Sequence, residues 1–151
     1  IKEILNNTIG KTILDVGCGK CILANKLSEK YEVHGVDINI SDSLRTKFQK
    51  LKLYSANVEN LPFKTKQFDT VVCTHTLEHV QNISTAINEL RRVTKKRLII
   101  VVPKQRSYKY TFDLHLHFFP YEHSLMVLMG TKRKNSCKTV GGDLFYVEDI
   151  S

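Results

Sequence analysis

The sequence predicts a doubly wound α/β domain, a mainly parallel sheet with helices on both faces and an antiparallel strand at the C-terminal end. Short apolar runs alternate with segments of helical apolar spacing at least five times, the pattern of repeated strand-helix units. The run at 98–102 is an unbroken stretch of Leu, Ile, Ile, Val and Val, as in strands covered on both faces. A length of 151 residues suits one core, so a single domain over residues 1–151 is expected. The abrupt ends at Ile1 and Ser151 are those expected of a fragment.

The first apolar run, Thr12–Val16, ends in Gly17, and Leu23 and Leu27 follow at helical spacing: strand, tight turn, helix. Residues 31–36 form a second strand closed by Asp37. Leu44, Phe48 and Leu51 at i, i+4, i+7 predict a second helix, with a third strand at 51–55. After the Asn60-Leu61-Pro62-Phe63 turn, Phe68–Thr74 reads as the fourth strand, and Val80, Ile83, Ile87 and Leu90 as the next helical stripe. Pro103 closes the fifth strand at 98–102. A polar and aromatic segment follows at 104–119, then a helix at 121–129 and strands at 137–140 and 144–147.

No apolar run approaches the ~20 residues of a membrane-spanning helix, and the N-terminus carries no secretory apolar segment, so a cytoplasmic protein is expected. A formal charge of +8 favours anionic partners, but the lysines are spread along the chain apart from Lys132, Arg133 and Lys134. Cys18 and Cys21 form a C-x-x-C pair inside a glycine-bearing turn; no second pair completes a zinc site, and no metal is expected.

The most informative stretch is Asp15-Val16-Gly17-Cys18-Gly19-Lys20-Cys21, where the first strand turns into the first helix. Glycines there permit a tight turn and let a ligand approach the backbone. Asp37, at the end of the second strand, is placed to accept hydrogen bonds from both hydroxyls of a ribose. Together they point to a nucleoside ligand. A dinucleotide fingerprint would need a third glycine at position 22, where Ile22 stands. Asp15 instead puts a carboxylate near where a cationic amino group would sit, which suits an amino-acid-bearing nucleoside better than a diphosphate.

With Asn57-Val58-Glu59-Asn60-Leu61-Pro62-Phe63, Phe68-Asp69-Thr70-Val71-Val72 and Leu77-Glu78-His79-Val80 following in order, the chain resembles a class I S-adenosylmethionine-dependent methyltransferase of the small-domain type 11 group. The resemblance runs over about residues 12–129 and implies a Rossmann-like fold with S-adenosylmethionine as cofactor. It implies that Asp15, Gly17, Cys18 and Gly19 border the methionine portion, that Asp37 holds the ribose, and that Ile38 packs on the adenine. Asn57 and Val58 would meet the adenine edge, by side chain and by backbone. Thr74 and His75 would lie beside the methionine end. Two positions depart from the family pattern: Cys21 replaces a common glycine, placing a side chain near the cofactor, and Asn57 replaces a common aspartate while keeping an acceptor.

Methyl transfer from a sulfonium needs chiefly an aligned nucleophile, and a general base only where the acceptor must lose a proton. His75 leads the candidates for that base because strand ends line the cleft. His117, with His115, follows from a segment resembling the family's acceptor-side loop; alternating histidines there also hint at metal, but no carboxylate cluster adjoins them. Glu78 and His79 are expected to begin a helix in a structural role. Tyr108, Tyr110 and Phe112 form a possible aromatic wall. The expected function is methylation of oxygen, nitrogen or carbon on a small-molecule acceptor, without a membrane span. The alternatives are an RNA-directed enzyme, with Lys104, Arg106, Lys109 and the 132–134 cluster on phosphates, and a non-catalytic binding module. Thr74-His75-Thr76-Leu77 stands where an Asn-Pro-Pro-Tyr-like tetrapeptide would follow the fourth strand, which argues against amino methylation of a nucleobase or glutamine.

Overall fold

The computed structural model describes residues 1–108, 114–130 and 133–150. A short helix α1 (Lys2–Asn7) leads into β1 (Thr12–Val16), α2 (Ile22–Leu27), β2 (Glu32–Asp37), α3 (Asp42–Lys47) and β3 (Lys52–Ser55). The chain then crosses to β4 (Phe68–Thr74), a single 3₁₀ turn (Leu77–His79), α4 (Ile83–Val93) and β5 (Thr94–Pro103). It ends with α5 (Glu122–Met129), β6 (Asn135–Val140) and β7 (Asp143–Asp149).

The seven strands form one sheet in the order β3-β2-β1-β4-β5-β7-β6. The first five run parallel, while β7 pairs antiparallel with both β5 and β6. The chain winds outward from β1 to β3, then returns to place β4 on the other side of β1. That reversal opens a crevice beyond the carboxyl ends of β1 and β4, the position where ligands enter such sheets.

Alternation along the strands divides the core into two layers. Leu14, Val16, Val71, Cys73, Leu98, Ile100 and Val102 face α4 and α5, packing with Ala86, Ile87, Leu90 and Leu125. Ile13, Val72, Ile99 and Val101 face the opposite side, with Ile4, Ala24 and Leu27. Helices therefore cover both faces, as the unbroken apolar run requires. Arg91 of α4 donates through Nε to Glu148 Oε1 at 2.8 Å and through Nη2 to the Met129 carbonyl at 2.6 Å, clamping α4 to β7 and α5. Glu148 is fully buried and also accepts from the Tyr146 hydroxyl at 2.7 Å.

Several element bounds differ from the sequence reading. α1 leaves no helical signature in the sequence, because it buries only Ile4 and so carries no apolar stripe. α3 stops at Lys47, where Phe48 leaves helical geometry so that the chain can lay β3 beside β2; Leu51 packs in the turn. β5 begins at Thr94, its charged first residues pairing with β4 before the apolar run starts. Glu78 and His79 do not start a helix: they lie in the 3₁₀ turn, and α4 begins at Ile83 with Asn82 Oδ1 accepting from Thr85 N–H.

Candidate active site

The turn after β1 is held against β2 by two bonds, the Gly17 and Cys18 N–H groups both donating to the Val36 carbonyl at 2.8 and 3.1 Å. Gly17 adopts φ +73°, and a Cβ there would lie 1.9 Å from Thr76 Oγ1, so only glycine fits. Gly19, at φ +47°, faces open space on the cleft side. Cys21 also has positive φ, as the residue capping α2. Its side chain is fully buried and turned toward Cys18, with the two sulfurs 3.8 Å apart, so it does not project into the cleft. The four cysteines are free thiols, and burial pushes those of Cys18 and Cys73 well above the ordinary range.

A cleft of about 550 Å³ opens at the switch point, within the range that holds small ligands. Gly17, Gly19, Asp37, Ile38, Asn57, Val58 and His75 all line it. Asp37 accepts from Gly19 N–H at 2.9 Å through Oδ2 and from Asn39 N–H at 3.3 Å through Oδ1, which fixes its carboxylate at the rim. Ile38 is 76% exposed although apolar, an uncovered flat surface at the cleft wall. Asn57 Oδ1 accepts from Glu59 N–H at 2.9 Å, leaving one lone pair of that oxygen unused.

Asp15, Cys18, Thr74 and His117 do not line the cleft. Asp15 lies fully buried beneath the glycine turn, and neither carboxylate oxygen makes a hydrogen bond. Burial pushes its pKa up to about 7; the Ala24 backbone N–H opposes this but does not close a hydrogen bond. His117 is tied elsewhere, its Nε2–H donating to the Val80 carbonyl at 2.9 Å. Tyr110, Phe112, Lys109 and Lys132 lie outside the described residues. Tyr108 is exposed, Lys104 donates to Thr139 Oγ1, and Arg106 donates to the Tyr121 hydroxyl.

His75 follows β4 in a left-handed conformation, φ +48°, half-exposed at the mouth of the cleft. Its Nδ1 lies 3.5 Å from Glu78 Oε1 and its Nε2 3.4 Å from Asp143 Oδ2. Glu78 chiefly, then the Asp143 charge, hold the imidazole above its ordinary pKa against the opposing effect of burial. Sequence reasoning missed Glu59, Thr76 and Gln81 in the lining, and Asp143 beside His75. Glu59 Oε1 accepts from the Gln81 and Asn82 N–H groups at 3.1 and 3.0 Å, bracing the far wall. Only the space that Gly17 leaves for Thr76 carried a sequence signal.

These features fit a nucleoside bearing a cationic amino acid. A fixed carboxylate stands at the rim, an apolar wall and an amide edge stand beside it, and an unpartnered buried acid underlies a cradle that a Cβ would fill.

Comparison with known proteins agrees. A family model described as a methyltransferase domain matches residues 14–102. The ubiquinone biosynthesis O-methyltransferase of Rickettsia bellii is 30% identical over 117 residues, covering 72% of this chain and 48% of that protein. The chain thus spans about half the length of the curated relatives it matches. A Burkholderia thailandensis 1,6-didemethyltoxoflavin-N1-methyltransferase, solved with S-adenosylhomocysteine, superposes with TM-score 0.79 at 16% identity, over 97% of this chain and 73% of that one. A Thermotoga maritima S-adenosylmethionine-dependent methyltransferase gives 0.77 at 18% identity, over 99% and 87%. The chain belongs to the type 11 methyltransferase-domain family.

Proposed function

We propose that this domain transfers the methyl group of S-adenosylmethionine to a small-molecule acceptor, and that the acceptor atom is an oxygen on a hydroxylated ring. The observation that carries the reading is the cleft at the switch point, where Gly17, Gly19, Asp37, Ile38 and Asn57 converge. The names of the O-methyltransferase and naphthoquinone methyltransferase relatives support an oxygen- or ring-bearing acceptor of quinone type.

When bound, S-adenosylmethionine supplies a methyl group already activated by its sulfonium. The chain's own work is placement and exclusion of water. Asp37 would take the ribose hydroxyls, Ile38 would pack on the adenine, and the Val58 backbone and Asn57 would meet its edge, Asn57 Oδ1 accepting from the adenine amine. Asp15 would face the cationic amino group across the glycine turn, where a positive partner offsets the cost of its burial. At the other end His75, flanked by two carboxylates, would accept the acceptor's proton. His117 supports the acceptor side by holding its loop to Val80. Free thiols support a reducing, cytoplasmic setting, and among the described residues no helix is long and apolar enough to cross a membrane.

Calorimetric titration with S-adenosylmethionine and S-adenosylhomocysteine, NAD as control, tests the reading. Binding of both, lost in Asp37→Ala, is expected. No binding of either would overturn it.

A further inference from the structure

Beyond the nucleoside half of the cleft, the geometry points to a binding site for one first-row divalent transition cation, held by Glu78, His79 and His115 at the acceptor mouth. One ligand atom from each of the three lies within 4.8 Å of the other two. The sequence reading expected no metal because it sought a second C-x-x-C or a carboxylate next to His115 and His117 in the chain. The Glu78 carboxylate adjoins His115, together with His79, in space instead.

Glu78 carries the argument. It is fully buried, and neither of its carboxylate oxygens has a hydrogen-bond partner. An ionised carboxylate in that position is costly unless a cation meets it. The nearest groups are imidazoles: His75 Nδ1, a long ion-pair contact at 3.5 Å from a half-exposed ring that Asp143 also shares, and His79 Nε2 at 4.0 Å.

Each of the two histidines has one ring nitrogen against an oxygen acceptor. His79 Nδ1 lies 3.4 Å from the Leu114 carbonyl, which can only accept, so that nitrogen carries the proton and Nε2 keeps its lone pair toward Glu78. His115 Nδ1 lies 2.6 Å from Gln105 Oε1, and donation there leaves Nε2 as its free lone pair. A ring N–H given to an oxygen acceptor is the usual support of a metal-bound histidine. The two rings meet edge to face with centroids 4.8 Å apart.

The segment bearing His115 is built onto the turn bearing Glu78. The Leu116 and His117 N–H groups both donate to the Glu78 backbone carbonyl, at 2.7 and 3.1 Å, and His117 Nε2 donates to the Val80 carbonyl. Ligands about 2.1 Å from a tetrahedral ion stand roughly 3.4 Å apart, so closure needs only small rotations of the half-exposed His79 and the partly buried His115. Two imidazoles and one carboxylate with an open position suit zinc, iron(II) or cobalt(II), and not magnesium or calcium, which take oxygen ligands. His79 also lines the cleft. On the methyltransferase reading above, the open position would hold the acceptor oxygen and favour its deprotonated form.

The test is titration of Zn²⁺ into the metal-free chain without S-adenosylmethionine, read by competition with a chromogenic chelator, followed by the absorption spectrum with Co²⁺. One equivalent is expected to bind, with Co²⁺ d–d bands and no thiolate charge-transfer band. Glu78→Gln and His115→Ala should each weaken binding by more than about tenfold, while His123→Ala, at an exposed histidine of α5, should not. His115→Ala alone decides the matter should Glu78→Gln fail to fold. Absence of stoichiometric binding, unchanged affinity in His115→Ala, or a thiolate band reporting the Cys18–Cys21 pair would each overturn the site. Because S-adenosylmethionine binding is measured separately, loss of the cation site with cofactor binding intact leaves the methyltransferase reading standing. Loss of cofactor binding with the cation retained does the reverse.

Discussion

Replacing Asp15 by Asn should make the ligand-free domain more stable at alkaline pH, and by an amount that depends on pH in a defined way. The carboxyl is raised from 3.8 to about 7 in the folded chain. Below pH ~4 it is protonated whether the chain is folded or not, and it imposes no penalty. As pH rises the unfolded chain ionises first, so folding loses about 1.4 kcal/mol per pH unit until the folded group also ionises near 7. The full penalty above that point is roughly 4 kcal/mol, and at pH 5 it is only about 1.6 kcal/mol. Asparagine has nearly the same volume and no charge, so its own packing cost is constant with pH. The stability difference between variant and wild type should therefore grow by about 2.5 kcal/mol between pH 5 and pH 8.5 in favour of the variant. Urea unfolding at the two pH values measures it, and titration of every other group cancels in the comparison. A difference that stays flat across that range would refute the assignment of Asp15 as a buried, unsatisfied acid. The same variant should lose affinity for S-adenosylmethionine, exchanging stability for binding.

Two further substitutions probe the frame of the site. Gly17→Ala should lower stability by at least ~2 kcal/mol and abolish cofactor binding, since its Cβ would stand 1.9 Å from Thr76 Oγ1. Gly19→Ala meets no atom within 4 Å and should cost only about 1 kcal/mol for its left-handed backbone, while lowering cofactor affinity by narrowing the cleft; thermal unfolding and calorimetry distinguish the pair. Arg91→Met removes the principal cation from buried Glu148 and should cost about 3–5 kcal/mol in urea unfolding, most of it recovered by adding Glu148→Leu. Failure of the second change to rescue the first would refute the ion-pair account.

The parallel half of the fold was legible because β1, β4 and the apolar part of β5 are buried on both faces and α4 turns an apolar stripe to the sheet. What escaped was set by tertiary pairing: the charged start of β5 is strand only because β4 lies beside it, and α1 buries a single residue. The nucleoside half of the site was legible for a related reason. Gly17, Gly19 and Asp37 sit at the junctions of elements, where backbone geometry restricts residue type. The acceptor mouth was not. Glu78 reads as a helix-starting acid in one dimension, and its burial depends on residues 114–117 folding over it. Neither Asp143 beside His75 nor His115 beside His79 has any local signature, because each pair is joined only by sheet order or loop docking.

Among the described residues, main-chain groups fasten the segment between β5 and α5 to the rest of the domain at Lys104, which donates to the Gly142 carbonyl, and at Leu116 and His117, which donate to the Glu78 carbonyl. Such bonds are indifferent to which side chains the segment carries. Away from His115, His117 and the buried Phe119, its sequence is therefore free to drift while the glycine turn and Asp37 stay untouched. One inherited nucleoside pocket can in this way be fitted with many acceptor preferences, each new chemistry costing the lineage a single stretch of chain.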